Sequence, residues 1–160
     1  MRVMGIDPGL TATGYGILDF SGSAVKLIET GTIEPRRSSL FQAKLQKVHS
    51  ILINLIRQHK PQVMVLEKLY AHHRHPTTAG IMGHVRGVIC LASAQGEIPL
   101  IEYSVKRIRQ AVTGKGNATK QQTLRMVAHL LNISEDKLTL DASDALALAL
   151  GYGRMHRQKI

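Results

Sequence analysis

Val3-Met4-Gly5-Ile6-Asp7-Pro8-Gly9 reads as a short buried strand that closes on an acid and breaks at once into a turn. Two later stretches answer it. Glu67 closes a second apolar run, Val63-Met64-Val65-Leu66, and Asp141 and Asp144 open the last apolar helix in Asp141-Ala142-Ser143-Asp144-Ala145-Leu146. Taken singly, each acid has a plainer explanation. Asp-Pro-Gly is a common turn, Glu67 could be a solvated strand end, and Asp141 and Asp144 could cap a helix and complement its dipole. Their joint occurrence at the ends of apolar elements, with Ile6, Leu66 and Leu140 directly before three of them, points instead to one cluster.

The elements between these acids allow them to meet. Residues 15–20 and 24–33 read as strands joined by Ser21-Gly22-Ser23, a hairpin signal, and with the first strand they make a three-stranded antiparallel start. Pro35-Arg36-Arg37-Ser38-Ser39 breaks the pattern and supplies a helix cap. Apolar residues then recur with helical period at Phe41, Leu45, Val48, Leu52, Leu55 and Ile56, until Pro61 stops the helix. The run at 63–66 is apolar throughout, as a central parallel strand would be. A second helix runs from Thr77 or Thr78 to about Gln95 and contains Gly80, Gly83 and Gly87. Each glycine costs about 1 kcal/mol relative to Ala, so this helix is a candidate for tight packing or a subunit interface, or for simple packing on the sheet. A short strand at 99–103, a helix capped by Ser104, a loop at 113–117, a helix from about Ala118 to Leu131 and the final helix complete the order. The expected class is α/β: a mixed five-stranded sheet, three antiparallel strands then parallel βα units, with helices on both faces. Side-by-side parallel first and fourth strands would place Asp7 beside Glu67. Asp141 and Asp144, three apart, share one helix face.

A chain of 160 residues is most simply one domain, 1–160, large enough to bury about 70% of its unfolded surface. No apolar run approaches the ~20 residues that span a bilayer, and the first residues read as a strand rather than a signal peptide. The single Cys90 cannot form an internal disulfide; a reduced cytoplasmic setting fits, with Cys90 as a small core residue. The net charge of +10 favours polyanionic partners, although a basic, well-solvated protein would show the same total. Distribution sharpens the point: residues 68–134 carry nine basic groups against only Glu97 and Glu102, whereas residues 135–160 balance.

Two like charges 4 Å apart repel by about 4 kcal/mol at an effective dielectric near 20. Clustered carboxylates therefore imply bound cations, and all-oxygen ligation points to Mg²⁺ or Mn²⁺ rather than zinc. Two such ions about 3.5–4 Å apart serve in-line phosphodiester hydrolysis, and a basic surface beside them makes a nuclease the natural inference.

Gly5-Ile6-Asp7-Pro8-Gly9 with Thr13-Gly14-Tyr15-Gly16 resembles the opening motif of the RuvC family of Holliday-junction resolvases. Glu67 followed by Tyr70, Arg86-Gly87-Val88, and Glu102-Tyr103 before Arg109 and Gln110 resemble further family motifs. Gly114-Lys115-Gly116-Asn117-Ala118-Thr119-Lys120 resembles its glycine-and-lysine loop, and 141–146 its closing motif. The resemblance covers nearly the whole chain in order. It implies an RNase H-like fold, a homodimer, and Mg²⁺-dependent symmetric cutting of a four-way junction to leave 5′-phosphate ends. It also implies two Mg²⁺ per site, replaceable by Mn²⁺, and a branch-migration complex of the RuvA and RuvB type as partner. Carried over by motif, Asp7 would bridge both metals, Glu67 and Asp141 would complete the shell, and Asp144 matches a position that is Asp or His among relatives. Lys120 would stabilise charge at the scissile phosphate, and Arg109 and Lys115 would hold backbone phosphates. Tyr70 would stack on an unpaired base, unless it is a half-buried ring beside a strand end; Lys120 has its own plain reading as a solvated first-turn residue.

The departures fall together. Ala71-His72-His73-Arg74-His75-Pro76 stands where relatives tend to carry an Asn-containing loop with a Lys, and it reads as a DNA-contacting loop through Arg74 rather than a transition-metal site. The chain closes at Ile160, without the longer basic tail of some relatives. Among other classes, actin-like sugar kinases share the sheet topology but need two such domains. A related RNA-processing fold and a non-catalytic junction-binding module remain as rivals.

Overall fold

A computed structural model describes residues 1–9, 11–69 and 76–156. Three strands come first, β1 (Arg2–Asp7), β2 (Thr13–Ser21) and β3 (Ala24–Ile33). They are followed by α1 (Phe41–His59), β4 (Val63–Glu67), α2 (Pro76–Gln95), β5 (Leu100–Tyr103), α3 (Val105–Thr113), α4 (Lys120–Leu131) and α5 (Leu140–His156), with a short 3-10 turn at Glu135–Lys137. The sheet order is β3-β2-β1-β4-β5. β1 to β3 pair antiparallel, whereas β4 pairs parallel with both β1 and β5, as the expected mixed sheet requires.

Period-two alternation sorts the strand residues onto two cores. Val3, Val63 and Val65 pack with residues of α3, α4 and α5, while Met4, Ile6, Met64 and Leu66 pack with α1 and α2. β4 is apolar on both faces because helices cover both.

Helix α5 is buried along nearly its whole length, so it shows no polar face in sequence. Its seat is a patch of bare backbone. Gly5 and Gly16 pair directly across β1 and β2, and Gly14 pairs with Asp7. A methyl group on Gly5 would stand 2.0 Å from the Ala145 carbonyl oxygen, and one on Gly14 2.0 Å from that of Asp141. Only glycine lets the helix backbone come this close. That approach delivers the first turn of α5 to the sheet edge where β1 and β4 end.

Three local expectations are corrected. Ser38 and Ser39 do not cap α1; Ser39 closes a turn onto the Arg36 carbonyl, and Leu40 occupies the cap position with no side-chain bond. Cys90 is exposed rather than part of the core, because α2 turns Val85, Ile89 and Ala92 inward. Gly80, Gly83 and Gly87 lie on its outward side: among the described residues, no atom beyond the helix's own backbone comes within 4 Å of where a Cβ would be, so none of these residues packs tightly on them. The caps at Ser104 and Thr119 do form. Ser104 accepts from the Arg107 amide, and Thr119 with Gln122 makes a reciprocal capping box that starts α4 at Lys120.

Candidate active site

Ile6 pairs with Leu66 in the parallel register of β1 and β4, so the next residues on each strand, Asp7 and Glu67, leave the sheet side by side. Asp7 lies across from Gly14, and the Asp141 carbonyl rests on Gly14, which brings the start of α5 over the same spot. Thr139 holds that start in place: its hydroxyl accepts from the Ala142 amide at 3.2 Å and its carbonyl from Ser143 at 2.9 Å. Asp144 follows Asp141 on the same helix face. From the first turn of α4, Lys120 Nζ donates to Asp144 Oδ2 at 2.8 Å.

The electrostatics agree with this convergence. The Asp7 carboxyl is pushed up to about 7, first by burial, then by the negative charges of Asp144 and Glu67, with Lys120 opposing and Asp141 adding to the rise. Glu67 is raised as well, by burial and then by Asp144, against the lowering effect of Lys120, Arg109 and Arg86. Lys120 is raised, chiefly by its hydrogen bond to Asp144.

Two openings meet at Glu67. One, of about 330 Å³, is walled by Asp7, Pro8, Glu67, Lys68, Met82 and Arg86. The other, of about 110 Å³, is walled by Glu67, Arg109, Lys120, Thr123 and Asp144, with Val105 common to both. Arg109 thus stands with the acids. Lys115 does not: it is exposed and lines a separate cavity with Gln122, Arg125 and His129. Tyr70, Arg74, His72, His73 and His75 lie outside the described residues. Of the three apolar neighbours that made the acids conspicuous, Ile6 and Leu66 are fully buried, but Leu140 is half exposed on the first turn of α5, so that part of the sequence argument does not hold.

Arg86 is the residue that sequence reasoning left without a role. Its Nη1 donates to the Glu67 carbonyl at 2.6 Å, and its Nη2 pairs with the Glu102 carboxylate. The signal was present, since Arg86 is the only Lys, Arg, Asp or Glu in α2.

Among the described residues, no three His, Cys, Asp or Glu side chains converge on one point closely enough to form a ready-made metal cage. The chemistry of the donor set nevertheless suits hard divalent cations. The donors are carboxylate oxygens, and two of them, Asp7 and Glu67, are held at raised proton affinity by burial and by the charge of Asp144. A divalent cation relieves that strain, and oxygen-only ligation favours Mg²⁺ or Mn²⁺.

A family profile described as crossover junction endodeoxyribonuclease RuvC matches residues 3–152. A curated relative of that name from Rhodopirellula baltica is 38% identical over 148 residues, covering 92% of this chain and 83% of its own. Another from Halorhodospira halophila is 40% identical over 156 residues, covering 98% and 91%. Among solved structures, T. thermophilus RuvC in complex with Holliday junction substrate superposes with a TM-score of 0.90 at 24% identity, over 99% of this chain and 96% of the other. That last likeness establishes the fold, the RNase H-like arrangement expected from the motifs.

Proposed function

The chain belongs to the RuvC family of crossover junction endodeoxyribonucleases, and we propose that it resolves four-way DNA junctions by hydrolysing two symmetric phosphodiester bonds, one per subunit of a homodimer. The observation that carries the site assignment is the delivery of four carboxylates from three elements to one sheet edge, with Lys120 bonded to one of them.

In this reading Asp7, Glu67, Asp141 and Asp144 hold two divalent cations, Mg²⁺ or Mn²⁺. When bound, these supply an activated water and neutralise charge on the leaving oxygen. The rest is done by the chain. The glycine seat of α5 sets the main chain that carries Asp141 and Asp144 against the ends of β1 and β4, so only side-chain adjustment remains when the cations bind. Lys120, held by Asp144 at 2.8 Å, keeps a positive charge beside the place a scissile phosphate would take. Arg109, across the smaller opening, would hold the neighbouring backbone phosphate. Lys115 would contact backbone farther along, from its separate cavity. Tyr70 and Arg74 are assigned to the junction centre on motif and composition alone.

Two symmetric cuts by chains with one site each call for two copies. The outward face of α2, with Gly83, Gly87 and Leu91 open, supports its use as the shared surface, since bare glycines let another backbone approach. A RuvA and RuvB type branch-migration complex and a cytoplasmic setting belong to the same proposal. Among the described residues no helix is long and apolar enough to cross a membrane.

The test is the behaviour of Glu67→Gln and Asp141→Asn. Both are expected to abolish junction cleavage while leaving junction binding intact. Turnover near that of the parent in either would remove the residue from the site.

A further inference from the structure

Arg86 is nearly buried, with its side chain 11% exposed, in a helix that carries no other formal charge. A guanidinium taken out of water is costly unless its donors are met. Here both ends are met, and by groups that flank the cleft. Nη1 donates to the main-chain carbonyl of Glu67, the last residue of β4, and Nη2 pairs with Glu102 on β5. The next residue of the chain is tied as well, because the Lys68 amide donates to the Tyr103 carbonyl at 2.8 Å. The peptide that carries Glu67 out of the sheet is therefore held from two sides, by β5 and by α2. Arg86 also walls the same opening as Asp7 and Glu67.

We infer that Arg86 is a positioning residue: by bridging the Glu67 carbonyl and the Glu102 carboxylate, it fixes the end of β4 so that the Glu67 side chain stays aimed into the cleft beside Asp7. The role rests on the reading of Glu67 as a metal ligand. Groups that orient a ligand in this way, without touching the metal, commonly change metal affinity or activity by about 10–100-fold when lost. Arginine suits the task because its planar fork serves two acceptors at once. The single ammonium of lysine cannot span both.

The experiment uses the full chain with Arg86→Gln and Arg86→Lys. Mn²⁺ binding to the DNA-free protein is measured by the loss of the free-ion electron paramagnetic resonance signal. Junction affinity in EDTA and turnover at saturating junction are measured alongside. Arg86→Gln is expected to weaken Mn²⁺ binding about 10–100-fold with a parallel loss of turnover, at unchanged junction affinity. Arg86→Lys is expected to fall between that variant and the parent, and it carries the test if the glutamine variant does not fold. Parental Mn²⁺ affinity in a folded variant would overturn the inference. So would a loss confined to junction affinity, which would make Arg86 a phosphate contact instead. Glu67→Gln, run in parallel, separates the two levels. If it cleaves and binds Mn²⁺ like the parent, the reading of Glu67 itself falls. If it is inactive while both Arg86 variants match the parent, only the positioning role falls.

Discussion

Asp7 carries the clearest consequence of the crowding at the sheet edge. Its carboxyl titrates at about 7 rather than near 3.8, because burial and the charges of Asp144 and Glu67 all disfavour ionisation. Between about pH 4 and 7 the folded protein therefore holds a proton that the unfolded chain has released. Stability contributed by this group is present at low pH and is lost as pH rises through that window. In EDTA, raising the pH from 5 to 8 should lower the unfolding free energy, and Asp7→Asn should remove most of the dependence, gaining on the order of 2 kcal/mol at pH 8. Mg²⁺ should restore the parent at pH 8, since a ligand that binds only the folded state stabilises it. Urea titrations at the two pH values check this; the same pH slope in parent and variant would contradict it. Asp7 and Glu67 were legible in the sequence because a carboxylate at the end of a buried apolar run is conspicuous, whereas Asp141 and Asp144 stood out only by their spacing at the start of an apolar helix. The lone charge of Arg86 in α2 was visible too, but not its role, because its partners are a main-chain carbonyl 19 residues away and an acid 16 residues away. No local pattern reports either.

The elements were legible wherever one period dominates. The amphipathic α1, the strands and the apolar run 63–66 of β4 each announce their burial. What spacing does not reveal is contact between bare backbones. Gly5, Gly14 and Gly16 sit far from residues 141–149 in the chain, yet they set how closely α5 lies on β1 and β2. The glycines at 14 and 16, two apart on one strand face, were the available hint. The position of Cys90 misled for a related reason: α2 is apolar or small nearly all round, so its inward side is not marked by its outward one. Gly14→Ala tests the seat directly. The added methyl group would meet the Asp141 backbone and must push the start of α5 away. Overpacking of this kind costs about 1–3 kcal/mol, occasionally more, or roughly 2–10 °C in melting temperature for a chain this size. Cleavage should fall by more than the stability loss explains, because Asp141 moves with the helix. Thermal melts beside cleavage rates on the folded protein separate the two effects. Parental melting and cleavage together would show that the sheet accommodates the methyl group.

At the scale of the whole molecule, charge and symmetry make the remaining demands. The basic excess concentrated in residues 68–134 should make junction binding strongly salt-dependent. About six phosphate contacts would lose roughly 10³ in affinity between 50 and 200 mM salt, and a flat titration would contradict an electrostatic footprint. The central claim is that the carboxylates at one sheet edge, used once in each of two subunits, cut a junction in pairs. It is tested most directly by incubating a synthetic mobile four-way junction with the parent protein and with Asp7→Asn, in Mg²⁺ and in EDTA, and mapping the nicks on all four strands. The expected result is paired nicks at symmetric positions in opposing strands, with 5′-phosphate ends, only in Mg²⁺ and only with Asp7 present. Unpaired nicks, cleavage that survives EDTA, or cleavage that survives the loss of Asp7 would contradict it.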